Sequence, residues 1–350
     1  MTPILELRNV SKVFGGGLLN RNRTVAVDDV TLSITSDVPA MTAVAGESGS
    51  GKTTLSRLLL GVTTPSAGQV LYKGEDLAQL KGRRRKQFLL DVQPIYQDPF
   101  GVFNPFYRAD HLLFAAVAKF KLASSAKEGQ RLIEEALETV GLRANEILGR
   151  FPHQLSGGQR QRVMIARALL PKPKVILADE PVSMVDASLR ATILESLRAL
   201  NRDFGISILY VTHDLTTAYQ ICENIIIMYR GSVVEAGTVE KVIRAPEHPY
   251  TQLLISSIPR MRAVRNWEQE EEEGVVAEAE DARQLAGCKF ADRCPAVMEQ
   301  CWTQVPSLYR TSANRIARCF LYADQPRFAE ADVAETFARP QPGSIPPQRK

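Results

Sequence analysis

Residues Gly46-Glu47-Ser48-Gly49-Ser50-Gly51-Lys52-Thr53 fit the pattern G-x-x-x-x-G-K-[ST], whose chemistry is the gripping of a polyphosphate. Glycines open backbone angles that other residues resist, so successive N–H groups can face one anion. The helix expected next adds the positive end of its dipole. Lys52 is placed to reach the β- and γ-phosphates, and the Thr53 hydroxyl to ligate Mg²⁺, with Thr54 next in the cradle. Far downstream, Asp179-Glu180 pairs two acids: Asp179 suits the Mg²⁺ shell, and Glu180 suits a base that polarises a water. Between these lies Leu155-Ser156-Gly157-Gly158-Gln159. Ser156 is a plausible helix N-cap, and Gly157 and Gly158 bare the first amides. That makes a second anion site, one with no P-loop of its own.

These residues need elements to hold them. Met41–Ala45 is an apolar run suited to a buried parallel strand, and Thr54–Leu60 has helical character, so the loop has the strand–loop–helix setting it requires. Lys174–Ala178 reads as a strand buried on both faces. Two acids at its carboxyl end sit where open α/β sheets bind ligands. Val163, Ala166 and Leu170 share one helix face. Ile206–Val211 is strand-like and precedes His213, and Gln97 follows Ile95-Tyr96. Residues 101–153 are helix-rich, and Asn224–Gly237 suggests a hairpin turning at Arg230-Gly231. Gly15-Gly16-Gly17 with Arg21-Asn22-Arg23 reads as a flexible insertion between strands.

The chain has 350 residues, 45% of them hydrophobic, with a net charge of +4. That is the composition of a globular protein long enough for two domains. No apolar stretch approaches the roughly 20 residues a membrane helix needs, and Met1–Glu6 lacks a secretory pattern. The dense basic run Lys81–Lys86 fits either a solvated face or a site for anionic lipid or a partner loop. Glu268–Glu280 is acidic and nearly featureless, suggesting a linker.

Four of the five cysteines, Cys288, Cys294, Cys301 and Cys319, fall in one block. Without a secretory pattern, disulfides are disfavoured, and a segment too small for its own core suggests a metal staple. The closely spaced pairs typical of zinc are missing. Cys294-Pro295 echoes some ferredoxin runs, so a [4Fe–4S] cluster is the expected occupant. Zinc and four free thiols packed as small hydrophobes remain alternatives. Cys222 reads as inert core.

P-loop, Leu-Ser-Gly-Gly-Gln and apolar strand ending in Asp-Glu, in that order, resemble the nucleotide-binding subunit of an ATP-binding cassette (ABC) transporter. His248-Pro249-Tyr250-Thr251-Gln252-Leu253-Leu254 and Gly287-Cys288-Lys289-Phe290-Ala291-Asp292-Arg293-Cys294-Pro295 resemble the C-terminal extension of the oligopeptide/dipeptide importer ATPases, so the likeness spans roughly residues 1–325. One departure is Ser36–Ala40, where a Gly-Glu turn is usual; only a local loop change is expected from it.

The resemblance implies an α/β P-loop NTPase core with a helical subdomain, an antiparallel β subdomain and a small Cys-rich C-terminal extension. The expected limits are 1–260 for the ATPase (helical subdomain about 101–170), 261–286 for the acidic linker, 287–325 for the extension and 326–350 for a disordered tail. It also implies that Gln97 contacts Mg²⁺ or water, that His213 contacts the γ-phosphate, that Asp186 in Ser183-Met184-Val185-Asp186 belongs to a loop coupling two ATP sites, and that Phe14 stacks on adenine. The Ser156–Gln159 helix start would touch ATP held by a second ATPase subunit, homologous or identical.

The other implied partners are two membrane subunits, which the helical subdomain meets, and an external binding protein, with no nucleic acid. The ATPase itself would sit on the cytoplasmic face of the cell membrane. Some family members carry [4Fe–4S] in the extension. Peptide is the implied cargo. Nickel, opines or oligosaccharides, and a soluble ABC ATPase, are the alternatives; the last usually needs two cassettes or a coiled-coil insertion.

Overall fold

Apolar runs with β-branched residues make a twisted sheet whose centre is wholly parallel. In the computed structural model, which describes residues 3–17, 20–258, 286–329 and 332–337, eight strands lie side by side. Their order is Tyr309–Ser312, Arg315–Ala317, Ser232–Thr238, Asn224–Tyr229, Met41–Ala45, Ser207–Thr212, Val175–Asp179 and Val92–Ile95. From Asn224–Tyr229 to Val92–Ile95 neighbours run parallel; the remaining pairs are antiparallel.

Register decides what meets at the carboxyl ends. Ala45 is level with Thr212, and Asp179 with Val211. Ile95 is level with Ala178. The P-loop, Asp179-Glu180, His213 and Gln97 therefore leave the sheet along one rim, the usual ligand side of such a sheet.

Both faces are covered. Val44, Val175, Leu177, Leu209 and Ile226 share a core with the helix Lys52–Leu59 and with Leu5, Leu7 and Leu32. Those last residues belong to a second, antiparallel sheet ordered Asn20–Ile34, Leu5–Gly17, Ala67–Tyr72 and Glu75–Asp76. The alternate residues Ala43, Ile176, Ala178 and Tyr210 face another core with the helix Ala187–Phe204. That core also takes in the helices His111–Phe120, Ala126–Thr139 and Gly157–Leu169. The chain is thus α/β with mixed sheets, and the Val175–Asp179 strand is buried on both faces as its composition predicts.

The glycine cluster behaves otherwise than expected. Gly15 pairs with Arg23 and Gly17 with Asn20, so the two strands continue through it as a hairpin. Glycine and arginine carry turn-like composition, but cross-strand pairing overrides local propensity here. Farther on, the reading of Asn224–Gly237 holds: the strands turn at Arg230 and Gly231, both at positive φ (42° and 83°), the type I′ geometry that suits a tight hairpin.

Beyond residue 285 the described residues do not build a core of their own. Phe290, buried, stacks edge-on against Tyr229 and Tyr250 at 5.3 and 5.5 Å, and Arg315–Ala317 pairs with Ser232–Thr238. Within the expected tail, the short turn Val333–Thr336 packs beside the strand Asn20–Ile34, where Asp332 accepts the Ser33 N–H at 3.0 Å. The acidic stretch Glu268–Glu280 and the segment from Arg339 lie outside the described residues. Lys81–Lys86 forms the largely exposed start of the helix Gly82–Asp91, where Arg84 pairs with Glu75, while Phe88 and Asp91 farther along are buried. Among the described residues no helix is long and apolar enough to cross a membrane.

Candidate functional site

The P-loop folds as its glycines dictate. Gly46 and Gly51 stand at φ 151° and 103°, and a methyl group on either would lie 2.2 Å from Met228 O or 2.1 Å from Ala26 O. Only glycine lets the loop pass so close to its neighbours. Lys52, buried, turns back into the loop and donates to Gly46 O (2.7 Å), Glu47 O (2.8 Å) and Ser50 Oγ (3.4 Å). Burial pulls its pKa down, against the pull of Glu180, Asp179 and Glu47. Gly49 and Ser48 are exposed, and Thr53 and Thr54 open the helix half-buried.

Thr53 Oγ1 lies 3.4 Å from Asp179 Oδ1. Burial raises the Asp179 pKa, with Glu180 adding to the rise and Thr53, Arg57 and Lys52 opposing it. A hydroxyl and a carboxylate this close form the hard oxygen pair that suits Mg²⁺. Glu180 follows at φ 44°, a region uncommon for non-glycine residues, and its N–H is tied to Val211 O at 2.9 Å. That turn throws its carboxylate between Gln97, which donates to Oε2 at 3.0 Å, and His213, whose Nδ1 is 3.0 Å from Oε1. The structure therefore gathers Lys52, Thr53, Gln97, Asp179, Glu180 and His213, drawn from four parallel strands.

Ser156 is an N-cap, as its position predicts. Its Oγ accepts the Gln159 N–H (3.2 Å), and Gln159 Oε1 accepts the Ser156 N–H (2.9 Å). This reciprocal box closes two donors and leaves the Gly157 and Gly158 N–H groups without acceptors inside the helix. A methyl on Gly158 would lie 2.6 Å from Leu189 Cδ1, so that glycine also lets the helix approach Ala187–Phe204. Asp186 is exposed just before that second helix. Phe14 is exposed on the first hairpin, with the Lys12 ammonium 5.0 Å from its ring centroid.

Residues 27–183 match the ABC transporter family, and residues 234–301 match the oligopeptide/dipeptide transporter C-terminal region. The chain is 34% identical over 328 residues to the oligopeptide transport ATP-binding protein AppF of Bacillus subtilis, covering 91% of this chain and 98% of that one. It is 34% identical over 340 residues to AppD of the same organism, covering 93% and 98%. The chain belongs to the ABC transporter ATPase family. The ATP-binding cassette MJ0796, solved as a dimer in a post-hydrolysis state with ADP and Pi, superposes with a TM-score of 0.59 at 29% identity, covering 67% of this chain and 98% of that one.

The C-terminal block of this ABC ATPase departs from expectation. Among the described residues no three His, Cys, Asp or Glu side chains are arranged to hold a metal ion, so the [4Fe–4S] reading of Cys288, Cys294, Cys301 and Cys319, and the zinc alternative with it, are corrected. All four are free thiols. Burial pushes Cys319 up to about 11 and raises Cys288 and Cys294 as well. They pack as small hydrophobes: Cys301 and Cys319 are buried, and Cys288 and Cys294 lie against the main core.

The sequence reading also missed residues that reach the P-loop from this end of the chain. The Glu47 N–H donates to Tyr250 Oη at 2.8 Å, and Arg293 grips the Glu47 carboxylate through both guanidinium ends, each at 2.9 Å. Tyr250 and Arg293 do lie in the two segments that carry the family resemblance, but nothing in their spacing points to the P-loop.

Proposed function

We propose that this chain is the ATP-hydrolysing subunit of a membrane ABC importer for di- or oligopeptides. The observation that carries this is the Glu180 carboxylate held between Gln97 and His213 beside the Lys52 loop and the Thr53–Asp179 pair. The peptide cargo rests on the relatives, which are named as oligopeptide transport proteins, and favours that reading over nickel, opines or oligosaccharides. Work on the cytoplasmic face, beside two membrane subunits and an external binding protein, follows from the same likeness.

ATP lies along Gly46–Thr54, its phosphates met by the loop amides and the Lys52 ammonium, with Phe14 against the adenine. Thr53, Asp179 and Gln97 would hold Mg²⁺, which draws charge off the phosphates when bound. Glu180 takes the proton from the attacking water, and Gln97 and His213 fix the direction of its carboxylate. His213 then turns to the charge developing on the γ-phosphate.

The free amides of Gly157 and Gly158, positioned by Ser156 and Gln159, cap the γ-phosphate of ATP bound to a second subunit, homologous or identical, and Asp186 links the paired sites. Closure of the dimer moves the helices between 101 and 170 and so the membrane subunits; hydrolysis resets them. The test is phosphate release from MgATP by the assembled transporter in vesicles, with and without peptide-loaded binding protein. Peptide-stimulated turnover that vanishes in K52A is expected, and turnover insensitive to K52A would overturn the site.

A further inference from the structure

Glu47 is the sole acid in the phosphate loop. A carboxylate there opposes the binding of a polyanion, because like charges repel. The structure answers it with Arg293, 246 residues away in sequence, which takes both carboxylate oxygens at 2.9 Å. The guanidinium lies over the Tyr229 and Phe290 rings, 5.9 and 5.7 Å from their centroids, so it arrives already oriented.

Its surroundings lock into the same loop. The Gly231 N–H donates to Ser50 O at 2.9 Å, so the Arg230-Gly231 turn touches the P-loop directly. Lys289 grips that turn from the other side, donating to Arg230 O (2.8 Å) and Ser232 Oγ (2.7 Å) and pairing with Asp28 (2.7 Å). Arg230 in turn pairs with Asp292 at 3.0 Å.

We propose that Arg293 is a positioning residue for nucleotide binding: it neutralises Glu47 and holds the first turn of the phosphate loop, so the C-terminal region sets the affinity of the ATP site. This rests on the P-loop assignment above. A bidentate, charge-assisted pair fixes geometry as well as charge, and both are needed. Glu47 must be drawn aside from the phosphates, and the loop amides must stay aimed at them.

The test is equilibrium binding of labelled ATPγS with Mg²⁺ to the full chain. R293Q is expected to weaken binding about fivefold or more, and E47Q added to R293Q to recover about twofold or more of that loss, because the uncompensated charge is then gone while the grip on the loop is not restored. R293K, which reaches a single oxygen well, should lose about two- to fivefold. In turnover assays R293Q should raise KM for MgATP while leaving kcat near the wild-type value, a split that general loosening of the fold would not give.

R293Q binding as the wild type does would overturn the proposal, as would a double variant no tighter than R293Q. Where R293Q does not fold, R293K decides, and wild-type affinity there overturns it. A wild-type chain that binds no ATPγS would overturn the phosphate-loop reading, and this inference with it.

Discussion

His213 Nδ1 stands 3.0 Å from Glu180 Oε1, so the histidine and the acid meet directly. Gln97 holds the other oxygen at 3.0 Å, and the left-handed backbone of Glu180 points it there. A residue kept in that region is over-determined by its surroundings. Replacing Glu180 with Gln keeps size and backbone but removes the base. Hydrolysis is expected to fall by about 10²–10⁴-fold while ATP affinity stays, which phosphate release and nucleotide binding on the same sample will show. Wild-type turnover in E180Q would end the assignment.

Ser156 offers a separable test of the second anion site. Ser156→Arg fills the space before Gly157 and removes the Oγ that caps Gln159, a loss worth about 1 kcal/mol to the helix. The assembled transporter should lose turnover while the variant's own P-loop still binds ATP. Lost binding at that P-loop would mean the helix acts within its own chain.

Glu235 is fully buried, and Arg315 meets its Oε1 from two nitrogens at 2.6 and 3.1 Å. Burial raises the Glu235 pKa, and Arg315 opposes the rise. Removing the arginine leaves a buried carboxylate uncompensated, so R315A should cost about 3–5 kcal/mol, read as a lower urea midpoint. A shift below a quarter of that range would show the pair to be dispensable.

His248 gives a pH signature. Burial lowers its pKa from 6.5 to about 4, and its Nδ1 accepts the Tyr250 N–H at 3.0 Å, which requires the neutral ring. The unfolded chain takes up this proton below its own pKa while the folded chain resists. The contribution is therefore complete above about pH 6.5 and is lost as pH falls towards 4. Carboxylates such as Glu235, raised by burial, act in the opposite sense, so the comparison must be against H248N: its Tm should fall less between pH 7 and pH 5 than that of the wild type. Parallel curves would remove His248 from the account.

The rim of the sheet was readable because its signals are local. Each strand is an apolar run with its chemistry immediately after it, as Val175–Asp179 with Glu180 or Ser207–Thr212 with His213, and Ser156 sits where an N-cap must. The hairpin through Gly15–Gly17 was not readable, since glycines advertise a loop while pairing with Asn20–Arg23 is a property of two segments at once. The cysteines misled because spacing counts thiols and says nothing of where they point or how deeply they are buried. The Arg293–Glu47 and Tyr250–Glu47 contacts join residues 246 and 203 positions apart, and no local pattern announces them.

The pairing of Arg315–Ala317 with Ser232–Thr238 bears on how this chain can be cut. A truncation after residue 258 would look like a tidy removal of an appendage. It would instead leave Ser232–Thr238 as a raw edge, its Ala236 and Glu235 groups facing water where Ile316 and Ala317 had covered them, and Glu235 without Arg315. Open edges recruit other strands, so the shortened chain is set up to self-associate through that ladder. Dissection of this protein should begin from side chains rather than from scissors.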